Sequence, residues 1–292
     1  MSATATLALS QVPAPVVTTP DVSWMTTFLF GLFLVALGLW ILPLARRVVG
    51  ALVPAPEPAR ARWNLLHVGI VGLTYVSAAI LLLAFVRPPA DDTVLVLALS
   101  AAIFGAGVVV AVAFAAATGL EGLHAFGIRA HGNVRAVAAG VATYVICLPG
   151  YAGSILLWAV CLQLAGRDMR PQEVLHGISQ LSPDERVVPL LLGALLQPLF
   201  EEALFRGFLQ PVLVQWLRPA AGIVLTSILF AGMHGLDPFG PIFVLSLILG
   251  WIQHRTQRLS AAWAVHALHN GAQFAILFAY PEFGGATSAP GG

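Results

Sequence analysis

The sequence predicts an all-α fold, a polytopic transmembrane bundle of about eight spans. Three observations carry that prediction. The 292 residues are 59% hydrophobic, with a mean hydropathy of +0.89. Only 9% are charged, against roughly 25% in soluble domains. Apolar runs close to the roughly 20 residues needed to cross a hydrocarbon core recur along the chain. The formal charge of +1 leaves no basic face for nucleic acid, which is excluded as a partner; the lipid bilayer is the expected one.

The chain divides into four parts. Residues 1–21 lack the basic start of a secretory leader and carry Pro13, Pro15 and Pro20, so a disordered tail is expected there. Residues 22–186 hold four spans: about Trp24 to Leu44, Leu65 to Val86, Val94 to Ala117, and Val137 to Leu164. The last contains Pro149 and Gly150, which predict a kink. Glu121 to Arg135 has mixed polarity and is expected to lie along the interface. Arg167 to Arg186 is the longest polar loop, with room for a short surface helix. Residues 187–280 hold four more spans, beginning near Val187, Ala220, Phe239 and Leu259. Residues 281–292 are rich in Gly, Pro and Ser, and a second disordered tail is expected. Cys147 and Cys161 are fourteen apart in one apolar segment, about 21 Å on a helix, and cannot pair there.

Loop arginines set the expected orientation. Arg46, Arg47, Arg60, Arg62, Arg129, Arg135, Arg206, Arg218, Arg255 and Arg258 fall on one side, and Arg87, Arg167, Arg170 and Arg186 on the other. The positive-inside rule then places both termini outside. All 14 basic residues are arginine. This alanine-rich, lysine-free composition points to a bacterial inner (plasma) membrane.

The polar residues of the last four spans are harder to place in lipid. Gln197 to Arg206 sets Glu201, Glu202 and Arg206 inside an apolar run, where each costs roughly 2.5 to 3.5 kcal/mol to insert and is retained for pairing or function. Glu202 and Arg206 are four apart with the acid first, the favourable order for a helical ion pair. Glu201 points about 100° away and is left as a candidate general base. Downstream, Phe230 and His234 share a helix face, as do His266 and Asn270, with His269 within reach of the same side. Such a set suits peptide hydrolysis. Glu201 with His234 would take a proton from water, and His266 with Asn270 would support the oxyanion of the tetrahedral intermediate. Arg206 would hold Glu202 and fix the helix. His269 reads better as a residue bonded to a neighbouring helix. Residue counting places His234 near the outer end of its span, at a different depth from Glu201 and His266.

Glu-Glu-x-x-x-Arg, Phe-x-x-x-His and His-x-x-x-Asn, in that order on late membrane segments, resemble the CPBP family of intramembrane proteases. That family includes type II CAAX prenyl endopeptidases and bacteriocin-processing or self-immunity proteins. Glu201, Glu202, Arg206, Phe230, His234, His266 and Asn270 match the motifs. The resemblance implies an eight-helix bundle with a cavity open toward the cytoplasm, acting on a membrane-associated or lipid-modified protein or peptide. It leaves two catalytic classes. A metal-free, glutamic-type site needs no cofactor and is favoured here, because pairing with Arg206 competes with metal ligation by Glu202. A zinc site would use Glu202, His234 and His266. Two readings from other classes stand beside the peptidase: a proton-coupled transporter that relays protons through Glu and His, and a non-catalytic immunity or scaffold protein.

Overall fold

The computed structural model describes residues 22–54, 56, 59–86, 92–167, 177–179, 181–183 and 185–280. The two expected tails, Arg87, Arg170 and most of the polar loop lie outside the described residues; in that loop 177–179 are helical, with Ile178 and Ser179 buried rather than on the surface. Among the described residues every regular element is helical.

In order these are α1 (Val22–Leu52), α2 (Leu65–Phe85), α3 (Thr93–Ala117), the short α4 (Gly119–Phe126), α5 (Asn133–Leu164), α6 (Val187–Leu217), α7 (Pro219–Gly232), α8 (Phe239–Thr256) and α9 (Leu259–Ala279). Eight of them stand where the eight spans are expected. Five are long and apolar enough to cross a membrane on those grounds alone: α1, α2, α3, α5 and α6. α7 is apolar but short. α8 and α9 carry Ser246, Gln253, His266, His269 and Asn270, which lower their hydropathy while facing the protein interior.

Start signals agree with local chemistry. Asn64 caps α2 through its side chain, with His67 closing the box, and Asp92 caps α3 by accepting from the Leu95 amide. α1 runs eight residues past the expected Leu44, so Arg46 and Arg47 ride on a helix. α5 passes through Pro149 as one unbroken helix.

α1 and α5 pack closely because glycine lets them. A Cβ placed on Gly38 would stand 2.6 Å from Gly150 Cα, and one on Gly153 would stand 2.7 Å from the Gly31 carbonyl oxygen. Small residues at helix crossings are a common membrane solution, since lipid tails provide no hydrophobic drive between helices. A second aromatic core forms where Trp63 stacks on Phe208 at 5.1 Å and donates to its carbonyl at 2.8 Å. Trp63 is therefore buried, unlike an interfacial-belt residue.

Candidate active site

α6 is built to present its carboxylates. An α-helical turn, Gln197–Glu202, is flanked by two π-helical stretches, Leu190–Leu196 and Ala203–Leu209. π turns are rare and cluster at functional positions. They frame the Glu-Glu pair at mid-helix.

Glu202 and Arg206 are fully buried and paired, with Nη1 donating to Glu202 Oε1 at 2.9 Å. The same oxygen lies 2.8 Å from His266 Nδ1. Arg206 Nη2 donates to Ser246 Oγ at 2.6 Å, and its guanidinium carbon sits 4.1 Å over the Phe230 ring. One residue of the site thus ties α6 to α7 and α8. Arg206 is buried in the core of the bundle rather than at its end, so it drops out of the ten arginines expected on that side.

Glu201 is buried, but one of its oxygens remains open to chemistry. Gln197 Nε2 donates to Oε1 at 2.8 Å, whereas Oε2 lies 3.8 Å from His266 Nε2. Two carboxylates against one guanidinium give the cluster a formal charge of −1 with neutral imidazoles.

His234 follows the end of α7. Its Nδ1 is 2.8 Å from the Phe230 carbonyl oxygen. A carbonyl only accepts, so Nδ1 carries the proton and Nε2 of the neutral ring presents a lone pair. The Phe230 ring stands between the two histidines, 4.8 Å from His234 and 5.8 Å from His266. Asn270 Nδ2 donates to the Gly193 carbonyl at 3.0 Å, which leaves its second amide hydrogen. His269 is held by Tyr144 and Tyr151 of α5, each at 3.3 Å, and by Gln273 at 3.0 Å.

Glu201, His234, His266 and Asn270 all line one cavity of about 730 Å³. The depth mismatch expected for His234 closes because the cavity reaches from mid-α6 to the turn after α7. Its remaining walls come from the early helices as well, through Tyr75, Phe104 and Tyr151. Sequence reasoning missed these three and also Gln197 and Ser246. Gln197 stands four residues before Glu201, a spacing that could have found it; the others come from distant helices and carry no local signal.

The cavity sits toward one end of the bundle. Its walls come from the early part of α3, the later halves of α5 and α9, the end of α7 and the start of α8, the half of the bundle nearest the start of α1 and the end of α9. The cavity and the two ends of the described chain therefore lie toward the same end of the bundle.

Among the described residues no three His, Cys, Asp or Glu side chains are grouped to hold a metal ion, the trio Glu202, His234 and His266 included.

No curated protein and no solved structure matches the chain. Residues 183–272, about a third of it and the stretch that contains all three motifs, match the family model described as Rce1-like, type II CAAX prenyl endopeptidase Rce1-like. The chain is an integral membrane protein with an Rce1-like domain, consistent with the CPBP family, and this supports an intramembrane endopeptidase in general.

Proposed function

We propose that residues 187–280 form the catalytic half of an endopeptidase that cuts a peptide bond in a membrane-associated or lipid-modified protein. The observation that carries this reading is the 3.8 Å gap between Glu201 Oε2 and His266 Nε2 on the cavity wall. One water can hydrogen-bond to both atoms across such a gap.

Glu201 Oε2 takes a proton from that water, with His234 Nε2 as the second acceptor, and the hydroxide adds to the peptide carbonyl carbon. The oxyanion is met by His266 Nε2–H and the free hydrogen of the Asn270 amide. Donation from Nε2 requires the imidazolium form, which Glu202 stabilises at Nδ1. The tetrahedral intermediate collapses by breaking the C–N bond, and Glu201 returns its proton to the leaving amine. Glu202 and Arg206 position these groups from behind the cavity wall, and Phe230, itself in that wall, stands between the two imidazoles. Engagement of Glu202 Oε1 by both Arg206 and His266 supports metal-free chemistry.

For orientation, the nine remaining arginines in loops or near helix ends on that side favour the basic end toward the cytoplasm, and on that reading the cavity would lie in the outer half of the bundle.

The test compares protein N- and C-termini in membranes from cells that carry the wild type or Glu201→Ala at equal expression. A small set of termini present only with the wild type is expected. Identical sets across several growth conditions would sink the peptidase reading and favour the transporter or scaffold.

A further inference from the structure

The end of the bundle opposite the cavity carries a group of arginines that the proposed chemistry does not use. The Leu259 amide donates to the Gly127 carbonyl at 3.0 Å, and Arg129 Nε donates to the Gln257 carbonyl at 3.1 Å. These bonds clamp the α4–α5 loop onto the α8–α9 loop. Arg258 lies directly on Gly132, whose φ of +83° suits glycine; a Cβ there would stand 2.7 Å from Nη2. Arg255 faces Gly50 of α1, where a Cβ would stand 3.5 Å from its Nη2.

The electrostatics of this junction are unbalanced. Arg129 is lowered from the ordinary guanidinium range by burial and by the like charge of Arg258. Nη1 of Arg255 and Nη1 of Arg258 are both buried without a hydrogen-bond partner. Among the described acidic residues only Glu121 lies at this end, and it pairs with Arg62. These two enclosed atoms cannot themselves meet a ligand, but they leave the charges of Arg255 and Arg258 uncompensated from within; the open edges of half-buried guanidinium groups fit phosphate oxygens two at a time. The flanking residues are apolar and open: Ile128 is 41% exposed and Val134 is 85% exposed. A free anion has no use for them, whereas a lipid carries a glycerol and acyl region beside its phosphate.

We propose that Arg129, Arg255 and Arg258 form a binding site for the headgroup of an anionic phospholipid, with Ile128 and Val134 against its apolar part. Basic pockets between helices on the cytoplasmic side are a general form of such recognition. The site stands independently of the peptidase reading.

The test uses the full chain, delipidated in neutral detergent and titrated with short-chain phosphatidylglycerol or phosphatidylcholine, with bound lipid counted by native mass spectrometry. Phosphatidylglycerol should be retained preferentially, and Arg129→Gln/Arg258→Gln should weaken it roughly ten- to thirtyfold. Arg62→Gln at the same end should leave it unchanged. Equal retention of both lipids, or an equal loss in Arg62→Gln, would overturn the site, and displacement by millimolar inorganic phosphate alone would overturn the lipid assignment. Should the double variant fail to fold, Arg258→Lys keeps the charge without the fork. It must then weaken phosphatidylglycerol measurably, and unchanged binding would reject the proposal.

Discussion

α2 and α6 are both membrane helices, yet they are held in opposite ways. In the most apolar window of α2 only 6% of residues are buried inside the protein, against 39% for α6. α2 offers Leu66, Leu73, Ile80 and Leu81 outward and takes most of its stability from lipid. α6 buries Glu201, Glu202 and Arg206 and depends on partners from α7, α8 and α9. A lipid-facing wall tolerates change, whereas a buried polar network fails at the loss of one member.

The largest effect should come from breaking that network at its centre. Arg206→Met removes the permanent counter-charge of fully buried Glu202 and leaves it only the His266 bond, and a loss of about 3 to 5 kcal/mol is expected. It would be read as disappearance of monodisperse protein in detergent. Glu201→Gln keeps the bond from Gln197 in one amide orientation and should fold normally. Turnover should fall about 10²- to 10⁴-fold with melting temperature unchanged, and turnover near wild type would reject Glu201 as the base. Gly38→Leu forces a side chain against the Gly150 backbone. About 1 to 3 kcal/mol of stability should be lost while turnover per folded molecule is preserved. The smallest effect belongs to the lipid-facing wall: Leu73→Ala, at a residue 66% exposed, should change stability by less than about 0.5 kcal/mol. A large loss there would show that α2 packs on a partner.

Much of this contrast was legible in the sequence. Apolar runs of membrane length located the helices because the bilayer imposes that length, and Glu202 with Arg206 announced their bond by spacing. The Tyr144 and Tyr151 clamp on His269 was invisible, since it joins α5 to α9 across more than a hundred residues and a tyrosine within an apolar span does not announce its partner. Arg206 was misplaced for a related reason: a charge four residues from a carboxylate inside an apolar run can belong to a loop or to a core, and only the fold tells which. The cavity's side of the membrane depended on the direction of six helices at once, which no local pattern encodes.

The guanidinium at the heart of the site has one more effect, on where along a substrate the cut can fall. Arg206 is not among the residues that line the cavity, and among the described residues no arginine is, while Glu201 is. An enzyme that trims single residues from a chain's C-terminus is helped by a fixed cation that seats the terminal carboxylate. Here that carboxylate would meet the charge of Glu201 with no permanent counter-charge beside it. On the peptidase reading, bonds set back from a C-terminus would escape this repulsion, so an inward-turned arginine would disfavour trimming of single C-terminal residues.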